Sequence, residues 1–190
     1  MKVLVVGEGA SELDGALREL VTRLASSDVD IEQDKVSRSG VHVLHGKGNG
    51  YFKRAVRWII EAEKRGYEAL VLVIDQDGRQ ERTKQLTEAQ EYTGRTLRRA
   101  FGVAIRTFDA WMLADESALT KVLEFSVNRQ SDPETIRNPK EAFRNLKEQM
   151  RVQRNPAEMY SEIAQLMNLE TLEMRCPDGF VPFAERVRAL

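Results

Sequence analysis

The sequence predicts an α/β fold: a parallel or mixed sheet flanked by helices, with a helical C-terminal extension. Three observations carry this. Val3 to Val6 and Leu70 to Ile74 are short, unbroken aliphatic runs, as strands buried on both faces require. Stretches of helical period follow and separate them. From about residue 126 the strand signals stop, and Pro133, Pro139 and Pro156 each stand where a helix begins.

The elements read in order as follows. After the first strand, Ser11 can cap a helix whose Leu13, Leu17, Leu20, Val21 and Leu24 recur at steps of three and four. Residues 28 to 40 are polar, with room for one short strand. Val41 to Leu44 reads as a strand, followed by a glycine-rich loop. A helix runs from about Tyr51 to Arg65 and stops at Gly66, a normal helix end. After the strand at Leu70 to Ile74 comes the acidic turn "DQDG". A helix is expected over 81 to 101, a strand over "GVAIRTF", and a single helix from Asp109 through "DAWMLADESALTKVL". Residues 1–125 are therefore expected to form the α/β core, and 126–190 an extension packed on it rather than a separate domain.

Composition sets outer limits. A chain of 190 residues, 42% hydrophobic and 31% charged, is long enough for a sizeable core. No apolar run approaches the roughly 20 residues of a membrane span. The first strand is too short, and too soon followed by acids, to serve as a signal peptide. One cysteine, Cys176, precludes an internal disulfide and suits a reducing, cytoplasmic setting. With only His42 and His45 beside it, a cysteine–histidine zinc site is not expected. The net charge of -1 means that a polyanion would need a local basic patch.

The chemistry lies at strand ends, where open α/β sheets bind ligands. Glu8 follows the first strand, Asp75 and Asp77 follow the strongest one, and Asp109 follows the strand near 103–107. In extended chain, residues two apart point the same way, so Asp75 and Asp77 are expected to share a side. Clustered carboxylates repel unless a cation or proton neutralises them, and hard oxygen ligands suit Mg²⁺ or Mn²⁺. The same Asp-x-Asp-Gly is also common turn chemistry. Glu8 at a second strand end tips the balance towards a metal site. A dinucleotide fingerprint fits poorly: Glu12 stands where the third glycine belongs, and two acids would face a pyrophosphate.

"VVGEGASE", "LVLVIDQDG" and "DAWMLAD" together resemble TOPRIM-type domains. In those domains an acid follows the first strand in a Glu-Gly context and an Asp-x-Asp follows a later one. The chain more closely resembles a bacterial family of TOPRIM-like proteins of unknown function. Those share an E-G-x-x-E start, a D-x-D-G turn, an acid-A-W-x-L-A-D helix start and a C-P-x-x-F segment, here "CPDGF" at 176–180. The resemblance spans nearly the whole chain. It implies Mg²⁺-dependent phosphoryl transfer, with Glu8 as general base or metal ligand and Asp75 and Asp77 on the metal. TOPRIM domains occur in topoisomerases, primases and phage-defence nucleases. With no ATPase or tyrosine cleavage domain in this sequence, the resemblance favours a small nuclease, or a toxin-like partner of a separately encoded ATPase. Asp109 departs from the glutamate expected before Ala-Trp, and its shorter arm sets it apart from a direct metal role.

Further candidates surround this set. Lys47, on the glycine-rich loop ahead of a helix, can hold phosphate or serve catalysis; it can equally be a solvent lysine. Arg79, beside the acidic turn, can bind phosphate. Arg95, Arg98 and Arg99 read as an exposed helical face, Arg106 as a structural partner of Asp109, and the two histidines as structural. Glu12 either faces the metal or starts a helix. Asp115 either caps a helix or supports the site. Trp111, Met112 and Leu113 read as core, and nothing near Cys176 suggests an activated thiol. The expected function is divalent-metal-dependent hydrolysis of nucleic-acid phosphodiesters. Two alternatives stand: a non-enzymatic partner-binding module and a metal-dependent phosphatase for a small substrate.

Overall fold

The computed structural model describes residues 1–10, 12–25, 28–38, 50–129, 132–150 and 154–190. Four parallel strands form one sheet in the order β2-β1-β3-β4. These are β1 (Lys2–Gly7), β2 (Asp30–Lys35), β3 (Ala69–Asp75) and β4 (Arg98–Ala104). A π-helical turn, Glu12–Leu17, follows β1 and runs into α1 (Arg18–Leu24). Helix α2 (Gly50–Lys64) precedes β3, and α3 (Gln80–Gln90) follows it. After β4 come α4 (Asp109–Met112) and α5 (Glu116–Leu123). A single 3-10 turn, Pro133–Thr135, then leads to α6 (Pro139–Glu148), α7 (Pro156–Leu166), α8 (Leu169–Arg175) and α9 (Phe180–Arg188). The fold is thus α/β with a parallel sheet and, among the described residues, a helical C-terminal region.

The aliphatic runs explain why β1 and β3 are central. Val3 and Val5 lie opposite Ala69 and Val71, and Leu4 and Val6 opposite Leu70 and Leu72, so each face of the pair is apolar. The first set packs under the π-helical turn, α1, α4, α5, α7 and α9 in the larger core, around Trp111, Phe108, Phe180 and Phe183. The second packs under α2 and α3 in a smaller core around Trp58, Ile59 and Phe101. The C-terminal helices therefore complete one face of the sheet. Contact is closest at Gly15: a Cβ there would meet the Ala157 carbonyl oxygen at 2.4 Å, so only glycine lets the π-helical turn lie this close to α7.

Local signals hold in most places. Asp132, Asn138 and Asn155 each accept a backbone N–H just past the proline that starts a helical segment. Gly66 ends the chain segment after α2 with φ of 77°. Two expectations fail. Residues 81 to 101 are not one helix: α3 ends at Gln90 and β4 starts at Arg98. The Arg99 guanidinium holds this junction by donating to the carbonyls of Tyr92 and Arg95, each at 2.8 Å. Gln90 reinforces it, accepting the Phe101 N–H at 2.8 Å. Arg95, Arg98 and Arg99 consequently form no helical strip. The helix expected from Asp109 to Leu123 is likewise broken in two, because Asp115 caps α5 by accepting from Ser117 and Ala118 N–H. Its second oxygen accepts the Asn168 N–H at 2.8 Å, so Asp115 is a structural joint between α5 and the start of α8. The strand expected at 41–44, together with His42, His45, Lys47 and the Ser11 cap, lies outside the described residues.

The "CPDGF" segment also has a structural explanation. Buried Glu134 accepts N–H groups from Asp178 at 2.9 Å and Gly179 at 2.7 Å, fixing the turn into α9. Burial first, and then nearby acids, push the Cys176 thiol well above its ordinary range, as expected of an inert core cysteine.

Candidate functional site

Parallel topology sends the C-terminal ends of β1, β3 and β4 to one edge, and each delivers an acid there. Glu8 stands immediately beyond β1. One of its oxygens accepts the Tyr51 hydroxyl at 2.9 Å, and the other accepts the backbone N–H of Asp75 at 2.9 Å. Asp75, the last residue of β3, turns Oδ1 to the Phe108 N–H at 2.8 Å. Its other carboxylate oxygen accepts no hydrogen bond among the described residues.

Beyond β3 the chain does not stay extended, so Asp75 and Asp77 do not follow the expected side-by-side course. Asp77 has φ of 50° and Gly78 φ of 69°, both in the left-handed region. The turn is pinned to the one after β4: Gln76 N–H donates to Ala104 O at 2.9 Å, and Asp77 N–H to Arg106 O at 2.8 Å. Arg106 is itself left-handed, with φ of 65°. Backbone strain of this kind costs on the order of 1–3 kcal/mol per residue and gathers at functional sites. The Asp77 carboxylate pairs with Arg82 at 2.6 Å, and the same guanidinium nitrogen donates to the Asp75 carbonyl at 2.7 Å.

Two acids complete the cluster. Glu12, at the head of the π-helical turn, accepts the Gly9 N–H at 3.1 Å and folds back over the "GEG" loop. Asp109 is buried at the start of α4; it accepts the hydroxyl of Tyr160, from α7, on one oxygen and the Thr107 hydroxyl, at 3.1 Å, on the other.

These carboxyls feel one another. Burial raises the Glu12 pKa well above the usual carboxylate range; Asp109 and Glu8 add to the rise, while the Gly9 N–H and Lys140 oppose it. Asp75 is raised as well, by burial first, then by the charge of Glu12 and more weakly by Glu8 and Asp77; the Phe108 N–H works against the shift. Tyr51 is pushed up to about 12, by burial and by Glu8. Tyr160 moves the same way, through burial and Asp109. On the α2–α3 side the charge balance reverses. The guanidiniums of Arg54 and Arg82 both lie over the Tyr51 ring, 4.9 and 4.8 Å from its centroid.

The family model described as a domain of unknown function, DUF4276, matches residues 7–188. The chain belongs to this family. No curated protein and no solved structure matches it.

In this DUF4276 chain the structure brings together four of the residues marked by sequence: Glu8, Glu12, Asp75 and Asp109. Asp77 stands next to them but is engaged by Arg82. Arg79 is exposed at the N-cap of α3, two residues further on. Arg106 shapes the turn with its carbonyl instead of pairing with Asp109. Among the described residues, no three acidic, histidine or cysteine side chains converge as a complete ligand cage. The donor set nevertheless fits Mg²⁺, which commonly keeps several waters and takes one or two carboxylates. Glu12 and Asp75, mutually repelling and half-buried, are the pair a cation would relieve.

Sequence reasoning missed Tyr51, Arg82 and Tyr160. Arg82 had a signal: a cation in the first turn of a helix opposes the helix dipole, so its position there needs a local partner. Tyr160 had none, because it meets Asp109 across 51 residues of chain.

Proposed function

We propose that this protein hydrolyses phosphodiester bonds in nucleic acid with the help of Mg²⁺ or Mn²⁺. The observation that carries the reading is the half-buried, mutually repelling Glu12–Asp75 pair at the carboxyl edge of a parallel sheet, with Glu8 beside it. The resemblance of the Glu8 and Asp75 segments to TOPRIM motifs supports the same chemistry. A bound divalent ion would polarise a phosphoryl oxygen and lower the pKa of its water.

The chain's own groups then divide the work. Asp75 and Glu12 hold the cation. Glu8, oriented by Tyr51 and the Asp75 N–H, takes the proton of the attacking water. Asp77, steadied by Arg82, sits at the rim, where Arg79 is placed to meet phosphate. Tyr160 and Thr107 fix Asp109 as the wall of the site. Among the described residues, no helix is long and apolar enough to cross a membrane. A cytoplasmic setting, and action beside a separately encoded ATPase in phage defence, belong to this proposal.

The test is cleavage of labelled DNA and RNA with Mg²⁺ or Mn²⁺, alongside calorimetry of Mn²⁺ binding. Asp75→Asn should abolish Mn²⁺ binding and cleavage together. Glu8→Gln should keep binding and lower the rate on the order of a hundredfold or more. Wild-type cleavage by Asp75→Asn would sink the assignment. A metal-dependent phosphatase is the second reading, favoured by a cavity beside Asp109 whose size suits a small molecule. Turnover of a small phosphate monoester, with nucleic acid left intact, would select it.

A further inference from the structure

An acid cluster repels phosphate, so a phosphate-ester substrate needs cations close by to hold it. The small face supplies Arg82, but Asp77 and the Asp75 carbonyl already engage it. On the other side, a cavity of about 530 Å³ opens between α6 and α7. It is lined by Asp109 and Tyr160, two members of the site, and on the α6 side by Phe143, Lys140, Arg144 and Lys147, with Glu141 as the one acid among them. The three cations recur at steps of four and three, on one stripe of α6, while Phe143 between them turns into the core. The Lys147 ammonium lies over the Phe143 ring, 5.8 Å from its centroid.

Two features suit this wall to phosphate. Arg144 meets Glu141 and Glu148 only at 3.7 Å each, with its side chain 61% exposed, so these pairs are weak and readily exchanged. Guanidinium binds phosphate with two parallel hydrogen bonds, a stronger arrangement. A second cavity, of about 340 Å³, shares Arg144 and Lys147 and extends towards Arg154 and Met159. The cleft thus runs on past the acid site, and its cationic stripe covers about 10 Å of helix, more than one phosphate group needs.

We propose that the α6–α7 cleft binds the phosphate backbone of a nucleic-acid strand through Lys140, Arg144 and Lys147, and feeds it to the acid site over Asp109. The inference rests on the phosphate-ester reading above, yet it can be tested without catalysis. Fluorescein-labelled single-stranded oligonucleotides are titrated with the whole protein in EDTA, where metal-dependent cleavage cannot occur, with adenosine monophosphate as competitor. A Lys140→Ala, Arg144→Ala, Lys147→Ala variant should bind at least about tenfold more weakly at low salt, and its log K against log salt slope should fall by about 2. A control variant, Lys53→Ala, Arg57→Ala, Lys121→Ala, removes exposed cations elsewhere and should bind like wild type.

Competition by the mononucleotide at a concentration close to that of the strand would make a free nucleotide the occupant and overturn the strand assignment. The proposal also falls if wild type binds no oligonucleotide, if the α6 variant binds normally, or if the control loses as much. Asp75→Asn keeps the two readings apart. Oligonucleotide binding that needs α6, with no cleavage by wild type, sinks hydrolysis and leaves the cleft. Cleavage that needs Asp75, with binding indifferent to α6, sinks the cleft alone.

Discussion

On the α2–α3 side of the sheet, Glu8 is held by a tyrosine whose ring lies under two guanidiniums, and Asp77 is paired with one of them. On the opposite side, Asp109 is held by another tyrosine and a threonine, both uncharged. The two halves offer the same kind of donor, a tyrosine hydroxyl, but only on the α2–α3 side do guanidiniums lie over the tyrosine ring. Glu12 and Asp75 lie at the seam. Their pKa values are raised, by burial first and then by the neighbouring carboxylates, so each holds a proton more tightly than an ordinary carboxylate does.

The comparison can be broken most severely through packing. Gly15→Val would drive a side chain into the Ala157 carbonyl and the Tyr160 Cβ, displacing the turn that carries Glu12. Denaturant unfolding should show a loss of about 3 kcal/mol.

The two tyrosines sharpen the contrast. Tyr160→Phe leaves an oxygen of buried Asp109 without its donor, and should cost about 2 kcal/mol. Tyr51→Phe leaves Glu8 with the Asp75 N–H, and should cost about 1 kcal/mol or less. Equal losses would mean that the two sides are not different in the way described.

The last effect, of similar size, is a gain. A carboxyl whose folded pKa lies above its unfolded value binds protons more tightly when folded. Stability of the metal-free protein therefore falls as pH rises from the ordinary carboxylate range towards the raised values of Glu12 and Asp75. Asp75→Asn can keep the Phe108 hydrogen bond and removes that share of the penalty. The metal-free variant should be more stable than wild type by about 1 kcal/mol at pH 8, and the difference should vanish near pH 4. Thermal melts across pH check this; a variant less stable than wild type at pH 8 would contradict it.

Much of this arrangement was legible in residues 2–12 and 69–78. Unbroken aliphatic runs can only be buried strands, and acids directly after them must meet at one edge of a parallel sheet. The prolines marked three helical starts of the extension because that signal is local. What stayed hidden was non-local. Arg98 and Arg99 read as helix because nothing in their neighbourhood says that Arg99 will cap carbonyls at the end of α3. Asp77 read as a partner of Asp75 because period-two alternation assumes extended backbone, whereas its left-handed turn is pinned by hydrogen bonds that Gln76 and Asp77 N–H donate to carbonyls at the end of β4 and beyond. Glu12 kept two readings in sequence; the structure shows it starting the π-helical turn and facing the other acids.

The chain has two tryptophans, and the fold places one in each core. Trp58 lies in the smaller core, its indole N–H 3.4 Å from the Val36 carbonyl; Trp111 lies in the larger, its indole N–H without a partner among the described residues. The molecule thus carries two intrinsic fluorophores, one on each side of the sheet, in different polar surroundings. Removing either by mutation leaves an emission signal that belongs to one side alone. Loosening of the α2–α3 side could then be watched by light separately from loosening of the opposite side.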